Sequence, residues 1–203
     1  MVATRYILSA LALFALPLPA LAQQETAPPA AEDPCAEAGA CRHLTSYTVQ
    51  DADGQDQTFE VDVHLPWIMQ GNIVLTPGEA VVVRLVETSG GLAPLLVSSG
   101  REAVEAELRV GEIRFIFNPF DSGTVMLTVH SAYPEALDYA ALMVTTDNGP
   151  ERTSVCTLQQ GISVFESWQQ PIYQLALWSF RPADDYACHI VDTDAQIGEH
   201  GSE

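Results

Sequence analysis

Acidic and imidazole side chains recur at two-residue spacing in residues 58–65. On a β-strand, Glu60, Asp62 and His64 would share one face at intervals of about 6 to 7 Å. Carboxylates and an imidazole in such a row could act in acid–base chemistry or as metal ligands. The alternative is the solvated face of an antiparallel sheet, which carries polar side chains at the same spacing.

A second group of carboxylates surrounds Gly54 in the sequence DADGQD, which includes Asp51, Asp53 and Asp56. They have some of the oxygen-ligand density of a calcium loop. The segment lacks the glycine at position 6 and the glutamate at position 12 that define an EF-hand. An ordinary Asp-Gly turn is therefore the competing interpretation.

Exported copper proteins use imidazole and thioether ligands, which this sequence offers at several positions. His130 and Met126 would share the outward face of one strand, and Met69 follows His64 by five residues. The His-Cys-Met order of a blue-copper site is missing. We predict no resident cofactor, and we keep calcium or copper as the metal alternatives. Their candidate ligands are Asp51, Asp53, Asp56, His64, Met126 and His130.

Aromatic residues are concentrated in the segment from Cys156 to Cys188, where six of the 33 residues are Phe, Trp or Tyr. They could form a stacking platform for a sugar, with Gln169 and Glu166 as hydrogen-bonding neighbours of Trp168 and Tyr173. They could equally be the core of a small disulfide-braced lobe, since large aromatic residues contribute burial first. The six are Phe165, Trp168, Tyr173, Trp178, Phe180 and Tyr186.

The four cysteines form an even set, which in an exported protein indicates disulfide bonds. Three connectivities are open, and we favour Cys35–Cys41 with Cys156–Cys188. A zinc site is the alternative, but no CxxC pair supports it.

Residues 1–22 have the pattern of a secretory signal peptide. Arg5 precedes a short apolar run that Pro17 and Pro19 interrupt, and a small-x-small motif ends at Ala22. A membrane anchor would need about 18 to 20 uninterrupted apolar residues. We therefore expect export, with the bacterial periplasm favoured over the extracellular space, and no integral membrane segment in the mature chain. Residues 23–34 are rich in proline and predict a flexible linker.

The charge balance excludes several classes of function. The chain has eight Lys+Arg and 27 Asp+Glu, which gives a formal net charge of -19. All eight basic residues are arginine. Nucleic acids and anionic membrane surfaces would be repelled. Schiff-base chemistry and a P-loop both need a lysine that this chain lacks. An acidic tail, residues 193–203, completes the chain, and we expect a monomer.

Alternating hydrophobic residues predict β-strands through the middle of the chain. Strands are expected at residues 44–50, 58–65, 79–87, 104–110, 113–117, 124–130 and 137–145. Turn signals separate them, including Ser89-Gly90-Gly91. The prediction is a mainly β fold, an antiparallel immunoglobulin-like or jelly-roll β-sandwich over residues 35–150. Residues 151–192 would form a disulfide-bracketed, aromatic-rich segment packed on it.

Residues 121–144, DSGTVMLTVHSAYPEALDYAALMV, carry a small-Gly-Thr start and a Tyr-x-x-x-Val finish. They resemble the closing hairpin of bacterial pre-peptidase C-terminal domains. Such domains are secreted β-sandwich accessory modules, so the resemblance implies the same fold. They usually accompany a peptidase, and this chain contains no peptidase domain.

The sequence favours a binding protein over an enzyme. GxSxG and HExxH motifs are missing, and SxxK is impossible without lysine. We predict a non-catalytic binding or envelope-associated module with a glycan or protein ligand. A metal-handling protein is the first alternative, and a small hydrolase with an unrecognised site is the second.

Overall fold

The computed structural model of the chain describes residues 35, 40–50, 55–120, 123–145 and 149–191. The predicted signal peptide (1–22), linker (23–34) and acidic tail (193–203) lie outside these ranges, as do Asp51 and Asp53. The described residues all belong to one compact unit, residues 32–203.

Antiparallel strands dominate the described residues. An N-terminal hairpin consists of β1 (Cys41–Gln50) and β2 (Asp56–Pro66). One sheet contains β3 (Ile68–Met69), β4 (Asn72–Leu75), β9 (Leu137–Thr145), β10 (Gly149–Thr153) and β13 (Ile172–Pro182). The other contains β5 (Glu79–Thr88), β6 (Gly91–Ser99), β7 (Glu112–Pro119), β8 (Val125–Ser131) and β12 (Ser163–Trp168). A short ladder joins β11 (Val155–Cys156) to β14 (Cys188–His189).

The two sheets are continuous through a single pair, Phe180 of β13 with Leu92 of β6. The strand order is β10-β9-β13-β6-β5-β7-β8-β12, with β4 also pairing with β13 and β3 with β4. The core lies between the layers. Phe115 of β7 contacts Tyr139 of β9 and Phe180 at ring-centroid distances of 6.2 and 6.1 Å. The predicted antiparallel β-sandwich is confirmed.

Period-two patterning is clearest in β8 and β2. In β8, alternate residues are buried from Val125 to Ser131, so Val125, Leu127 and Val129 face the core as predicted. The strand predicted at residues 137–145 coincides with β9. In β2, Phe59 and Leu65 are half-buried while Glu60, Asp62 and His64 are exposed, which places the acidic row on the outward face.

The prediction of a strand at residues 104–110 is wrong. Gly100–Glu105 forms α1, and the chain continues irregularly to the turn before β7. Ala103 is fully buried against Ala80 and Val82 on the outer face of β5, whereas Val110 is 75% exposed. A small side chain lets the helix approach the sheet closely. Among the described residues, no helix is long and apolar enough to cross a membrane.

Both predicted disulfides, Cys35–Cys41 and Cys156–Cys188, are present. The second joins the directly paired positions of β11 and β14. Between these cysteines, β12 pairs with β8 and β13 pairs with β9. Much of the aromatic-rich segment, residues 151–192, thus lies within the two sheets as strands.

A buried ion pair fixes the base of the hairpin to the sandwich. Arg42 Nε lies 2.5 Å from Glu79 Oε1, and the two side chains are only 8% and 10% exposed. The guanidinium also donates to the carbonyls of Pro66 (3.0 Å) and Val74 (3.1 Å). Its Cζ lies 4.3 Å from the centroid of the Trp67 ring. Burial raises the pKa of Glu79 and lowers that of Arg42, while the charge of each partner opposes the shift of the other.

The phenolic hydroxyl of Tyr139 is buried in the core. Its side chain is fully buried, and its hydroxyl has no hydrogen-bond partner among the described residues. Burial, together with the charge of Glu166, raises the pKa of the phenol well above its ordinary value. We expect Tyr139→Phe to raise the free energy of unfolding by about 1 kcal/mol, because an unsatisfied buried hydroxyl is removed.

Urea unfolding of Tyr139→Phe checks this expectation, with Tyr186→Phe as the matched control. Tyr186 is 59% exposed, so its substitution should leave the unfolding free energy nearly unchanged. A lower stability of Tyr139→Phe would contradict the prediction. It would show that the Tyr139 hydroxyl has a hydrogen-bond partner in solution.

Candidate ligand-binding cleft

A cleft of about 470 Å³ opens where the two sheets meet. Three separate segments form it: the β5–β6 turn, the loop after β8, and the C-terminal part of β13. Its lining combines charged, phenolic and apolar groups, namely Glu87, Leu92, Tyr133, Glu135, Phe180 and Arg181.

The β5–β6 turn is built by local hydrogen bonds. Thr88 pairs with Gly91, which leaves a two-residue connection. The Thr88 hydroxyl accepts from the backbone N–H of Gly90 (3.2 Å) and donates to the carbonyl of Gly91 (2.7 Å). Gly91 has φ = 103°, a conformation that favours glycine. The turn predicted at this sequence is therefore confirmed, and it presents Glu87 and Leu92 to the cleft.

A β-bulge in β13 shapes the opposite wall. The register with β9 shifts between Trp178 and Arg181, and Ser179 has φ = 55°. A serine in the left-handed region costs on the order of 1 kcal/mol, and such strain is concentrated at functional sites. The bulge directs Phe180 into the core, where it is 3% exposed, and leaves Arg181 on the cleft wall.

The apolar floor of the cleft is held by core packing. Phe180 stacks on Tyr139 with ring centroids 6.0 Å apart and an interplanar angle of 12°. Leu92 is its direct strand partner. Because Phe180 is packed on the protein side, its position is fixed before any ligand binds.

The polar rim of the cleft offers both hydrogen-bond donors and acceptors. It consists of Glu87, Tyr133, Glu135 and Arg181. Burial raises the pKa of Tyr133, and the charges of Glu135 and Glu87 raise it further. The phenol therefore stays protonated at neutral pH and can donate a hydrogen bond. The two carboxylates can accept, and the Arg181 guanidinium can donate. The backbone N–H of Tyr133 donates to Ser131 Oγ at 3.2 Å, which helps to fix the loop.

The four residues predicted as a sugar platform have different surroundings. Trp168 packs against the core and donates from Nε1 to Thr153 Oγ1 at 2.7 Å. Glu166 accepts from the backbone N–H of Cys156 at 2.6 Å, and burial raises its pKa. Gln169 is exposed.

The fourth of them, Tyr173, lies on β13 beside the N-terminal hairpin. Its ring stacks on Tyr47 at 6.2 Å, and Tyr47 stacks on Phe59 at 5.2 Å. Trp168 contacts Thr153 and Tyr173 contacts Tyr47, so the two rings have different partners. Of the aromatic-rich segment, Phe180 is the ring that reaches the cleft.

Of the predicted calcium and copper ligands, Asp56, His64, Met126 and His130 lie within the described residues. Asp56 begins β2 opposite Gln50. Met126 and His130 are four residues apart on β8, which corresponds to about 13 Å along the strand and is too far to share an ion. Within the described ranges, no group of three or more His, Cys, Asp or Glu residues could hold a metal ion.

His130 instead pairs with a serine that sequence analysis did not connect to it. Its Nδ1 lies 2.7 Å from Ser163 Oγ, across the β8–β12 ladder. Burial lowers the pKa of His130, and the charge of Arg114 lowers it further. Neither residue lines the cleft.

His64 also acquires an unexpected neighbour. It lies directly opposite His43 in the hairpin, with the ring centroids 4.5 Å apart. Nε2 of His43 lies 2.6 Å from Asp62 Oδ1. Spacing within β2 indicates Asp62 and His64 but not His43, because a partner on the neighbouring strand depends on the register of the hairpin.

Comparison with known proteins gives no match among family models, curated proteins or solved structures. The resemblance of residues 121–144 to pre-peptidase C-terminal domains therefore stays a local one. What can be inferred about function depends on the cleft, the disulfides and the charge of the chain.

Proposed function

We propose that the protein is a non-catalytic binding module whose cleft takes a neutral, hydroxyl-rich ligand, a short glycan. The observation that carries this proposal is the meeting of Glu87, Glu135, Tyr133 and Arg181 around an apolar floor in one cleft. Ligand sites are typically concave and apolar, with a few convergent polar groups that fix orientation.

Charge limits the ligand class. Glu87 and Glu135 contribute two negative charges to the rim against one positive charge from Arg181. The whole chain adds a formal net charge of -19, which repels anions at long range. These two facts favour a neutral ligand over a phosphorylated or carboxylated one.

Size and polarity favour a sugar. A volume of about 470 Å³ lies within the usual range for small-molecule sites. A sugar ring has an apolar C–H face that would pack on the partly buried Leu92, which Phe180 supports from the core side. Its hydroxyl groups are both donors and acceptors, which matches a rim containing carboxylates, a phenol and a guanidinium.

The two disulfides support an oxidising environment outside the cytosol. Together with the signal peptide predicted at residues 1–22, they favour export. We propose the periplasm, where envelope glycans would be the ligands at hand.

Titration of neutral oligosaccharides into the purified protein, followed by isothermal calorimetry, tests the proposal. We expect Tyr133→Ala to weaken binding about tenfold, because it removes a rim donor and part of the apolar contact; that corresponds to about 1.4 kcal/mol. Glu87→Gln should weaken it less. Tyr186→Ala is the matched control, since Tyr186 is an exposed tyrosine outside the cleft.

Two outcomes would overturn the proposal. Equal affinities of Tyr133→Ala and the unaltered protein would place the ligand elsewhere. Release of reducing sugar during the titration would replace binding by hydrolysis, with Glu87 and Glu135 as the carboxylate pair that glycosidases require.

A further inference from the structure

We propose that the cross-strand pair His43 and His64 binds one divalent late transition-metal ion, such as Cu²⁺, Ni²⁺ or Zn²⁺. The pair lies on the exposed face of the N-terminal hairpin and shares no residue with the cleft. The proposal is therefore independent of the proposed function.

Strand register brings the two imidazoles together. The pairing of β1 with β2 places His43 directly opposite His64, between the pairs Arg42 with Leu65 and Leu44 with Val63. The two rings are 4.5 Å apart between centroids and tilted by 53°. Metal–imidazole bonds of about 2.0 to 2.1 Å place two ligating nitrogens about 3 Å apart, which adjacent rings at this separation can reach.

The hydrogen bond to Asp62 determines which nitrogen of His43 is free to bind a metal ion. An ionised carboxylate can only accept hydrogen bonds, so the 2.6 Å contact requires the hydrogen on Nε2 of His43. The lone pair then remains on Nδ1. Metal-ligating histidines usually donate their other N–H to a carboxylate, which fixes the tautomer and raises the basicity of the ligand.

The surroundings favour a bound cation. The His43 side chain is 49% exposed, so water can complete the coordination sphere. Imidazole suits copper, nickel and zinc. The negative net charge of the chain raises the local concentration of cations. Neighbouring Arg42, fixed by its ion pair with Glu79, restrains the strand that carries His43.

Calorimetric titration of the purified protein with CuCl₂, and separately with ZnCl₂, tests this site. We expect one ion per chain and tighter binding of Cu²⁺ than of Zn²⁺. His43→Ala and His64→Ala should each weaken binding at least tenfold. Asp62→Asn should weaken it about tenfold through loss of the orienting carboxylate. His130→Ala is the control, because His130 lies on β8 in the sandwich and should not matter.

A readout at the residues themselves accompanies the titration. Paramagnetic Cu²⁺ should broaden the imidazole NMR signals of His43 and His64 before those of His130. Thermal unfolding of each variant without metal shows that it is folded. Unchanged Cu²⁺ affinity of the double variant His43→Ala/His64→Ala would overturn the proposal, as would an equal loss in His130→Ala.

Discussion

Glu79→Leu is expected to lower the free energy of unfolding by about 3 to 5 kcal/mol, because it leaves the guanidinium of Arg42 buried without its counter-charge. The side chains of both partners are almost fully buried. The substitution also removes the Oε2 acceptor of the Thr76 backbone N–H, at 2.6 Å. For a chain of this size the loss corresponds to a melting temperature lower by roughly 10 °C.

Urea unfolding of single and double variants separates the charge effect from packing. Arg42→Met/Glu79→Leu should recover part of the loss, since a buried ion pair can often be replaced by apolar side chains at little cost, while the guanidinium hydrogen bonds to the carbonyls of Pro66 and Val74 remain lost. The matched control is Arg101→Ala, which breaks an exposed pair with Glu105 on α1. That change should cost no more than about 0.5 kcal/mol. A similar cost for Glu79→Leu and Arg101→Ala would contradict the prediction.

Loss of the Cys156–Cys188 disulfide is the second large effect. In the chain-entropy model, the double variant Cys156→Ala/Cys188→Ala loses about 3.7 kcal/mol, because the bond closes a loop of 33 residues. Cys35→Ala/Cys41→Ala should lose about 2.3 kcal/mol, because its loop has seven residues.

The two double variants serve as controls for each other, since each removes one disulfide from the same protein. Both are measured by urea unfolding under non-reducing conditions. A greater loss from Cys35→Ala/Cys41→Ala would contradict the loop-length argument. It would show that local contacts of the hairpin base outweigh the entropy of the longer loop.

The sandwich could be predicted from sequence because its strands are half-buried. Alternation in β2 and β8 reports which face meets the core, and a strand pattern of this kind depends on neighbouring residues alone. The two disulfides follow from the even cysteine count and the short CAEAGAC loop. For the strands and the CAEAGAC loop the signal is local.

The same rule failed at residues 104–110, where hydrophobic residues alternate but the chain starts as a helix. Alternation there reflects no buried sheet face, since Val104 and Val110 are exposed. The informative residue was Ala103, whose small side chain allows close packing on Val82. The alternation of hydrophobic residues gives no indication that a single small residue packs closely on a sheet.

The cleft could not be predicted because its parts are distant in sequence. Glu87, Tyr133 and Arg181 come from three segments that meet only where the sheets join. The bulge at Ser179 has no glycine to mark its left-handed backbone. The pairing of His43 with His64 likewise depends on the hairpin register, which shifts between Leu44 and Ser46.

Arg42 has a consequence for how the protein unfolds. Through one guanidinium, the first strand is tied to the end of the hairpin at Pro66, to β4 at Val74 and to β5 at Glu79. A two-stranded hairpin is marginally stable in water by itself. By sharing these contacts, the base of the hairpin joins the cooperative unit of the sandwich, so it opens with the whole domain and not ahead of it.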